Sequence, residues 1–275
     1  MESNFVGTTE PVAPYMGGKI RLAPRIIERL SAVPHQCYVE PFMGMGGVFL
    51  RRPYRARVEV VNDISRDVVT LFRVLQRHYQ ALMDMIKWQL SSRAEFDRLL
   101  KAVPDTLTDL ERAARFLYLQ RLAFGGKVAG RNFGTGPANP GRFDVTKLGA
   151  ILEDVHERLA GVVIECLPYN RVIEVYDRPN TLFYLDPPYW GCEEDYGKNV
   201  FSAEDFERLA EQLAHIQGQF LLSLNDTPEV RRIFGAFVLD EAQVNYSING
   251  GKQSQVGELL ISPKRGGIGG LFNQG

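Results

Sequence analysis

Apolar positions recur along this chain at two spacings. Steps of three and four residues mark helices, and short unbroken apolar runs mark buried strands. Lys19–Leu30 places Ile20, Ala23, Ile26, Ile27 and Leu30 on one helical face. Val68, Val69, Phe72, Leu75, Tyr79, Leu82, Met83 and Ile86 repeat that spacing over a longer stretch, and Val145–Leu159 reads as a further helix. Ser92 with Glu95, and Thr108 with Glu111, have the spacing of capping boxes, in which each residue satisfies a backbone N–H of the other. Ser202 with Asp205 opens another helix that Gly218 closes, and Thr227 before Pro228 opens the next, with proline where its missing N–H does no harm. Strand-like runs are Cys37–Glu40, Val58–Val61, Val162–Leu167, Thr181–Leu185, Phe220–Leu224, Phe237–Leu239 and Glu258–Ser262. Strands alternating with helices predict an α/β fold with a mostly parallel sheet covered on both faces. The run from about Ser65 to Gly161 is helical and loop-rich, and reads as an insertion. Within it, Phe124–Phe143 holds six glycines and two prolines, a density that predicts a loop or a hairpin with an extended tip.

Composition narrows the class. The 275 residues are 45% hydrophobic and 24% charged, as in a globular chain rather than a disordered one. No run approaches the ~20 apolar residues of a bilayer span, and Met1–Asn4 does not begin a signal peptide. Cys37, Cys166 and Cys192 are scattered and odd in number, which argues against a disulfide framework and fits the cytoplasm. The four histidines are equally scattered, so no metal ligands are assigned. The net charge of -1 hides a local imbalance: Arg112, Arg115, Arg121, Lys127, Arg131 and Arg142 occupy a window free of Asp and Glu. Arg51, Arg52, Arg55 and Arg57 form a second basic cluster. Such windows are candidate phosphate footprints; a solvated face is the competing reading.

Three motifs carry chemistry. Glu40-Pro41-Phe42-Met43-Gly44-Met45-Gly46-Gly47 follows a strand and precedes a helical turn. Glycines there let the backbone approach a bound nucleotide. Asp63 ends the next strand, placed to accept hydrogen bonds from ribose hydroxyls, or to cap a helix. Phe49 occupies the position of the third glycine in a dinucleotide fingerprint, which favours a nucleoside cofactor without phosphates, such as S-adenosylmethionine. Tyr15-Met16-Gly17-Gly18-Lys19 sets an aromatic ring and a cation around a flexible bend. Asp186-Pro187-Pro188-Tyr189 directly follows an apolar strand, where open α/β sheets bind ligands. Its prolines remove two N–H groups, so the Asp186 carboxylate and the Pro187 carbonyl present two acceptors to an exocyclic amino group, and Tyr189 offers a stacking face.

In this order the motifs resemble those of the Dam-type DNA adenine N6-methyltransferases. Further elements of the resemblance are Asn62-Asp63-Ile64, Phe116–Arg121, Leu222–Asp226, Tyr246–Asn249 and Val256–Leu260. Tyr15 stands where a tryptophan is common, and Gly125–Phe143 departs from the reading hairpin of GATC-specific members. The resemblance implies a Rossmann-like methyltransferase fold with a mostly parallel mixed sheet and an inserted helical target-recognition domain. Residues 1–65 and 162–275 would form the catalytic domain and 66–161 the insertion. It implies S-adenosylmethionine as cofactor, held by Tyr15, Gly18, Lys19, Glu40, Pro41, Phe42, Gly44, Gly46, Asp63, Ile64 and Asp186. Catalysis falls to Asp186, Pro187, Pro188 and Tyr189, acting on an adenine flipped out of double-stranded DNA. Arg121, Lys127, Arg131, Asn132, Arg142 and Lys252 are the DNA-contact candidates. No obligate protein partner is evident. Methylation of cytosine N4, of an RNA adenine or of a glutamine side chain stays open, as does a non-catalytic nucleic-acid-binding cofactor sensor. A nicotinamide-dependent dehydrogenase is disfavoured by Phe49 and the paired prolines.

Overall fold

The computed structural model describes residues 5–134, 141–193, 200–247 and 253–264. The strands are β1 (Cys37–Glu40), β2 (Val58–Asn62), β3 (Val163–Glu165), β4 (Thr181–Leu185), β5 (Gln219–Asn225), β6 (Val238–Ser247) and β7 (Gln253–Ser262). They form a sheet of order β3-β2-β1-β4-β5-β7-β6. The first five run parallel, and β7 is antiparallel to both its neighbours. The helices are α1 (Ala23–Ser31), α2 (Arg66–Ile86), α3 (Arg93–Lys101), α4 (Asp109–Leu122), α5 (Val145–Arg158), α6 (Tyr169–Tyr176), α7 (Ala203–His215) and α8 (Pro228–Ile233).

Side chains alternate across a strand, so β4 feeds two cores at once. Leu182 and Tyr184 join the apolar cluster built with α1, α2, α4 and α5. Phe183 and Leu185 join the cluster built with α6, α7 and α8. That double burial is why the parallel strands read as continuous apolar runs. The helices between 66 and 158 share the first cluster: Leu71, Phe72, Leu117 and Leu152 are buried in it with Val61 and Leu182.

The boundaries differ from the sequence reading for local reasons. α1 begins at Ala23 rather than Lys19, because Pro24 is tolerated only in a first turn. Lys19–Leu22 forms a turn instead, leaving Ile20 exposed and Lys19 buried. β3 stops at Glu165 because the backbone of Leu167 turns to the Asn62 side chain, which both donates to it and accepts from it. β6 runs well past Leu239, held over ten register positions by β7; from Asp240 onward polar residues alternate with Ala242, Val244 and Tyr246, so this edge strand shows no unbroken apolar run. The Thr108–Glu111 box is complete. At Ser92 only half of the box forms, because the Glu95 carboxylate turns to Arg98. In the Gly-rich segment, Ala123 pairs antiparallel with Phe133, giving a hairpin base.

Both basic clusters are partly internal. Arg112 pairs with Asp67 and Asp105 at 2.6 and 2.9 Å, and buried Arg115 donates to the Leu99 carbonyl and lies 4.0 Å from Asp67. The window is acid-free in sequence but not in space. Arg52 is buried against Glu59, as is Arg158, whose guanidinium grips Glu59 at 2.6 and 2.9 Å; Arg55 lies 3.6 Å from the same carboxylate. Arg52 and Arg55 are therefore tied into a structural knot, while Arg57 is exposed and Arg51 reaches the cavity described next.

Candidate active site

β1 and β4 lie side by side at the centre of the sheet, yet the chain leaves them in opposite directions, β1 toward β2 and β4 toward β5. Loops diverging from adjacent carboxyl ends open a crevice. A cavity of about 1220 Å³ fills it. Small-ligand pockets are usually ~300–1,000 Å³, so there is room for more than one ring system.

Four of the chain's segments meet here for identifiable reasons. After β1, the Glu40–Gly47 turn is held down by Asn62, whose side chain donates to the Pro41 carbonyl while its backbone carbonyl accepts from Met43 N–H. Asp63 then faces the turn, its Oδ2 accepting from Gly44 N–H and its Oδ1 from Ser65 N–H, each at 2.8 Å. Gly44 has φ +50°, and a Cβ there would sit 2.9 Å from the Tyr15 ring. Tyr15 thus lies against bare backbone, as a ring closing one wall of a ligand site can. Burial pushes Asp63 up to about 6 against those two N–H donors.

The fourth segment follows β4. Asp186 Oδ1 accepts from Ser223 Oγ at 3.0 Å and pairs with Lys19 Nζ at 2.9 Å. Tyr184 hydroxyl lies 3.0 Å behind Ser223. Both anchors are on Oδ1, and Asp186 lines the cavity. Burial holds Asp186 above the ordinary carboxylate range; Lys19 opposes that shift and the Glu258 charge adds to it.

Of the sequence-derived candidates, Tyr15, Gly18, Lys19, Glu40, Pro41, Phe42, Gly44, Asp63, Ile64, Asp186, Pro188 and the DNA-contact candidate Arg121 line one cavity. Gly46, Pro187 and Tyr189 do not. Gly46 lies beneath the wall at φ +71°, where a Cβ would strike Leu50 and Met43. Pro187 is buried. The Tyr189 hydroxyl accepts from Lys19 and donates to Glu258, each at 2.5 Å, and Lys19 Nζ is 4.2 Å from its ring centroid. The basic candidates divide. Arg121 donates to the carbonyls of Val12 and Arg142, and Arg131 to Gln120 Oε1. Lys127, Asn132 and Arg142 are exposed. Lys252, Ile248 and Asn249 lie outside the described residues. Sequence reasoning missed Ser223 and Glu258, both wholly buried; a lone acid before Leu259-Leu260-Ile261 was the available signal.

Glu40 is also wholly buried and accepts from Tyr38 hydroxyl at 2.5 Å. Burial pushes it from 4.5 up to about 8. Between those values the unfolded chain has released a proton that the folded chain keeps, so this group's contribution to stability falls as pH rises and levels off above about 8. Glu40→Gln should therefore leave Tm nearly unchanged at pH 5 and raise it at pH 8. Thermal melts across that range check this; an unaltered pH dependence contradicts it.

Residues 15–248 match the family described as D12 class N6 adenine-specific DNA methyltransferase. The chain belongs to that family. This methyltransferase is 26% identical over 282 residues to a DNA adenine methylase of Haemophilus influenzae, covering 91% of this chain and 92% of the relative. It is 23% identical to the type II methyltransferase M.CviBI of Paramecium bursaria Chlorella virus NC1A, covering 86% and 91%. It is 26% identical to the type II methyltransferase M1.LlaDCHI of Lactococcus lactis subsp. cremoris, covering 90% and 92%. The methyltransferase acts on the N6 amino group of adenine in DNA, and its sheet is the mostly parallel mixed sheet of a Rossmann-like methyltransferase. No helix among the described residues is long and apolar enough to cross a membrane.

Proposed function

We propose that the cavity holds S-adenosylmethionine beside a flipped-out adenine, and that Asp186 Oδ2 with the Pro187 carbonyl grips the two N6–H groups. The observation that carries this reading is the one-sided anchoring of Asp186: Lys19 and Ser223 both engage Oδ1, while the residue lines the cavity. The cofactor supplies an electrophilic methyl group on a sulfonium sulfur. Three features fit it. The Tyr15 ring lies against Gly44, where any side chain would intrude. The Asp63 carboxylate borders the same space, placed for ribose hydroxyls, and exposed Ile64 adds an apolar wall.

The adenine N6 lone pair is delocalised into the ring, so nitrogen is a poor nucleophile. Two acceptors on its N–H bonds draw it toward tetrahedral geometry. Positive charge grows on N6 in the transition state, where a carboxylate fixed in advance stabilises it more than in the ground state. Flipping an adenine out of the duplex costs a few kcal/mol, and stacking on Tyr189, ~1–3 kcal/mol, would offset part of it.

Residues 66–161 serve as the target-recognition part in this proposal, with Lys127, Asn132 and Arg142 outward on and beside the hairpin base. DNA affinity should fall steeply with salt, and Lys127→Ala should lessen the log–log slope by about 1. Arg112→Ala should leave that slope unchanged, since Arg112 is spent on Asp67 and Asp105. Binding titrations at several salt concentrations check both; a flat response contradicts this surface. The cytoplasmic setting expected from the cysteines belongs to the same proposal. Methyl transfer onto unmethylated duplex DNA, followed by nucleoside analysis, tests the reaction: N6-methyldeoxyadenosine is expected, and N4-methyldeoxycytidine contradicts it.

A further inference from the structure

We infer that Glu258 is a positioning residue for methyl transfer, holding Tyr189 and Lys19 so that Asp186 keeps Oδ2 toward the cavity. This rests on the reading that Asp186 faces the adenine.

Glu258 is 0% exposed, in a strand segment that continues Leu259, Leu260, Ile261. A buried carboxylate is expensive even when paired, and a well-packed apolar residue would serve stability as well or better. Its surroundings show what it does instead. Oε1 accepts from the Tyr189 hydroxyl at 2.5 Å, and Oε2 lies 3.7 Å from Lys19 Nζ. Lys19 in turn touches Asp186 and the Tyr189 hydroxyl. One ammonium therefore joins the N-terminal turn, the Asp186–Tyr189 loop and β7.

The register of the sheet explains how this is built. Glu258 of β7 stands directly opposite Asn225 of β5. The Asn225 side chain accepts from Trp190 N–H at 2.9 Å and donates to its carbonyl at 3.0 Å. One cross-strand pair thus clamps consecutive residues of the loop, Asn225 through backbone and Glu258 through a side chain. The clamp fixes Lys19 on the Oδ1 side of Asp186, away from the oxygen that meets the substrate.

The test is steady-state methylation of unmethylated duplex DNA by the full chain with S-adenosylmethionine, followed from pH 5 to 9. Glu258→Gln should lower kcat about 10- to 100-fold while the DNA KM stays within about threefold. It should also move the acid limb of the kcat profile to lower pH, because removing a neighbouring negative charge makes Asp186 easier to ionise. A purely structural role would lower Tm and reduce kcat by one factor at every pH, with the limb unmoved; that result overturns the inference. Tyr189→Phe keeps the ring and cuts the link to Glu258, so it covers the case in which Glu258→Gln does not fold. It should lower kcat at unchanged DNA KM, and wild-type kcat overturns the inference. Asp186→Asn separates the two levels. If it turns over normally, the reading of the site fails. If it is inactive while Glu258→Gln and Tyr189→Phe match wild type, the positioning role alone fails.

Discussion

Replacing Asp186 by Ala should lower kcat for adenine methylation by about 10³-fold or more, a loss of roughly 4 kcal/mol of transition-state stabilisation. In the proposed mechanism the substitution removes the carboxylate that meets N6 as it becomes positive. It should not unfold the chain. Lys19 keeps the Tyr189 hydroxyl at 2.5 Å and the Glu258 carboxylate at 3.7 Å, so its charge stays compensated. Cofactor affinity should survive in part, because Tyr15, Gly44 and Asp63, which also line the cavity, remain in place. Single-turnover methyl transfer alongside S-adenosylhomocysteine titration checks both halves. Substantial turnover by the variant contradicts the assignment of Asp186.

Glu59→Gln should be the most destabilising change outside the site. Its carboxylate is buried with Arg52 and Arg158 and lies 3.6 Å from Arg55. The knot ties β2 to the end of α5, and the two buried guanidinium groups also lie over rings, Arg52 3.5 Å from the Tyr38 centroid and Arg158 3.9 Å from Phe49. Removing the anion leaves those cations without their counter-charge. Breaking a buried pair in this way costs about 3–5 kcal/mol, on the order of 10 °C in Tm for a chain of this size. Calorimetry or thermal melts would show it. A Tm within 2–3 °C of wild type, a margin set by roughly 1 kcal/mol, would show that the arginines find water or other partners at little cost.

The central strands and the Asp186 loop were legible in sequence because their signals are local. Thr181–Leu185 is buried on both faces, so every position after Thr181 is apolar or aromatic, and the proline pair marks the turn that follows. Edge strand β6 was legible only at its start, since an edge need not be apolar throughout. What sequence could not show is pairing at a distance. Asp67 lies 45 residues before Arg112, and Glu59 lies 99 before Arg158. No local window of charge counts Asp67, so the first basic cluster reads as more available than it is; in the second, Glu59 lies only seven residues past Arg52, and what sequence hides is its burial with Arg52 and Arg158. Glu258 and Ser223 were hidden for the same reason. Ser223 is brought beside Asp186 by the parallel β4–β5 register, and Glu258 reaches the site from antiparallel β7 through its register with β5.

The most direct test of the account is where the target adenine sits in a complex of this methyltransferase with S-adenosylhomocysteine and duplex DNA. The account predicts an extruded base whose N6 lies within ~2.7–3.2 Å of both Asp186 Oδ2 and the Pro187 carbonyl, with the cofactor between Tyr15, Gly44 and Asp63. An adenine left in the duplex, or an extruded one whose N6 makes no contact with Asp186, would contradict it.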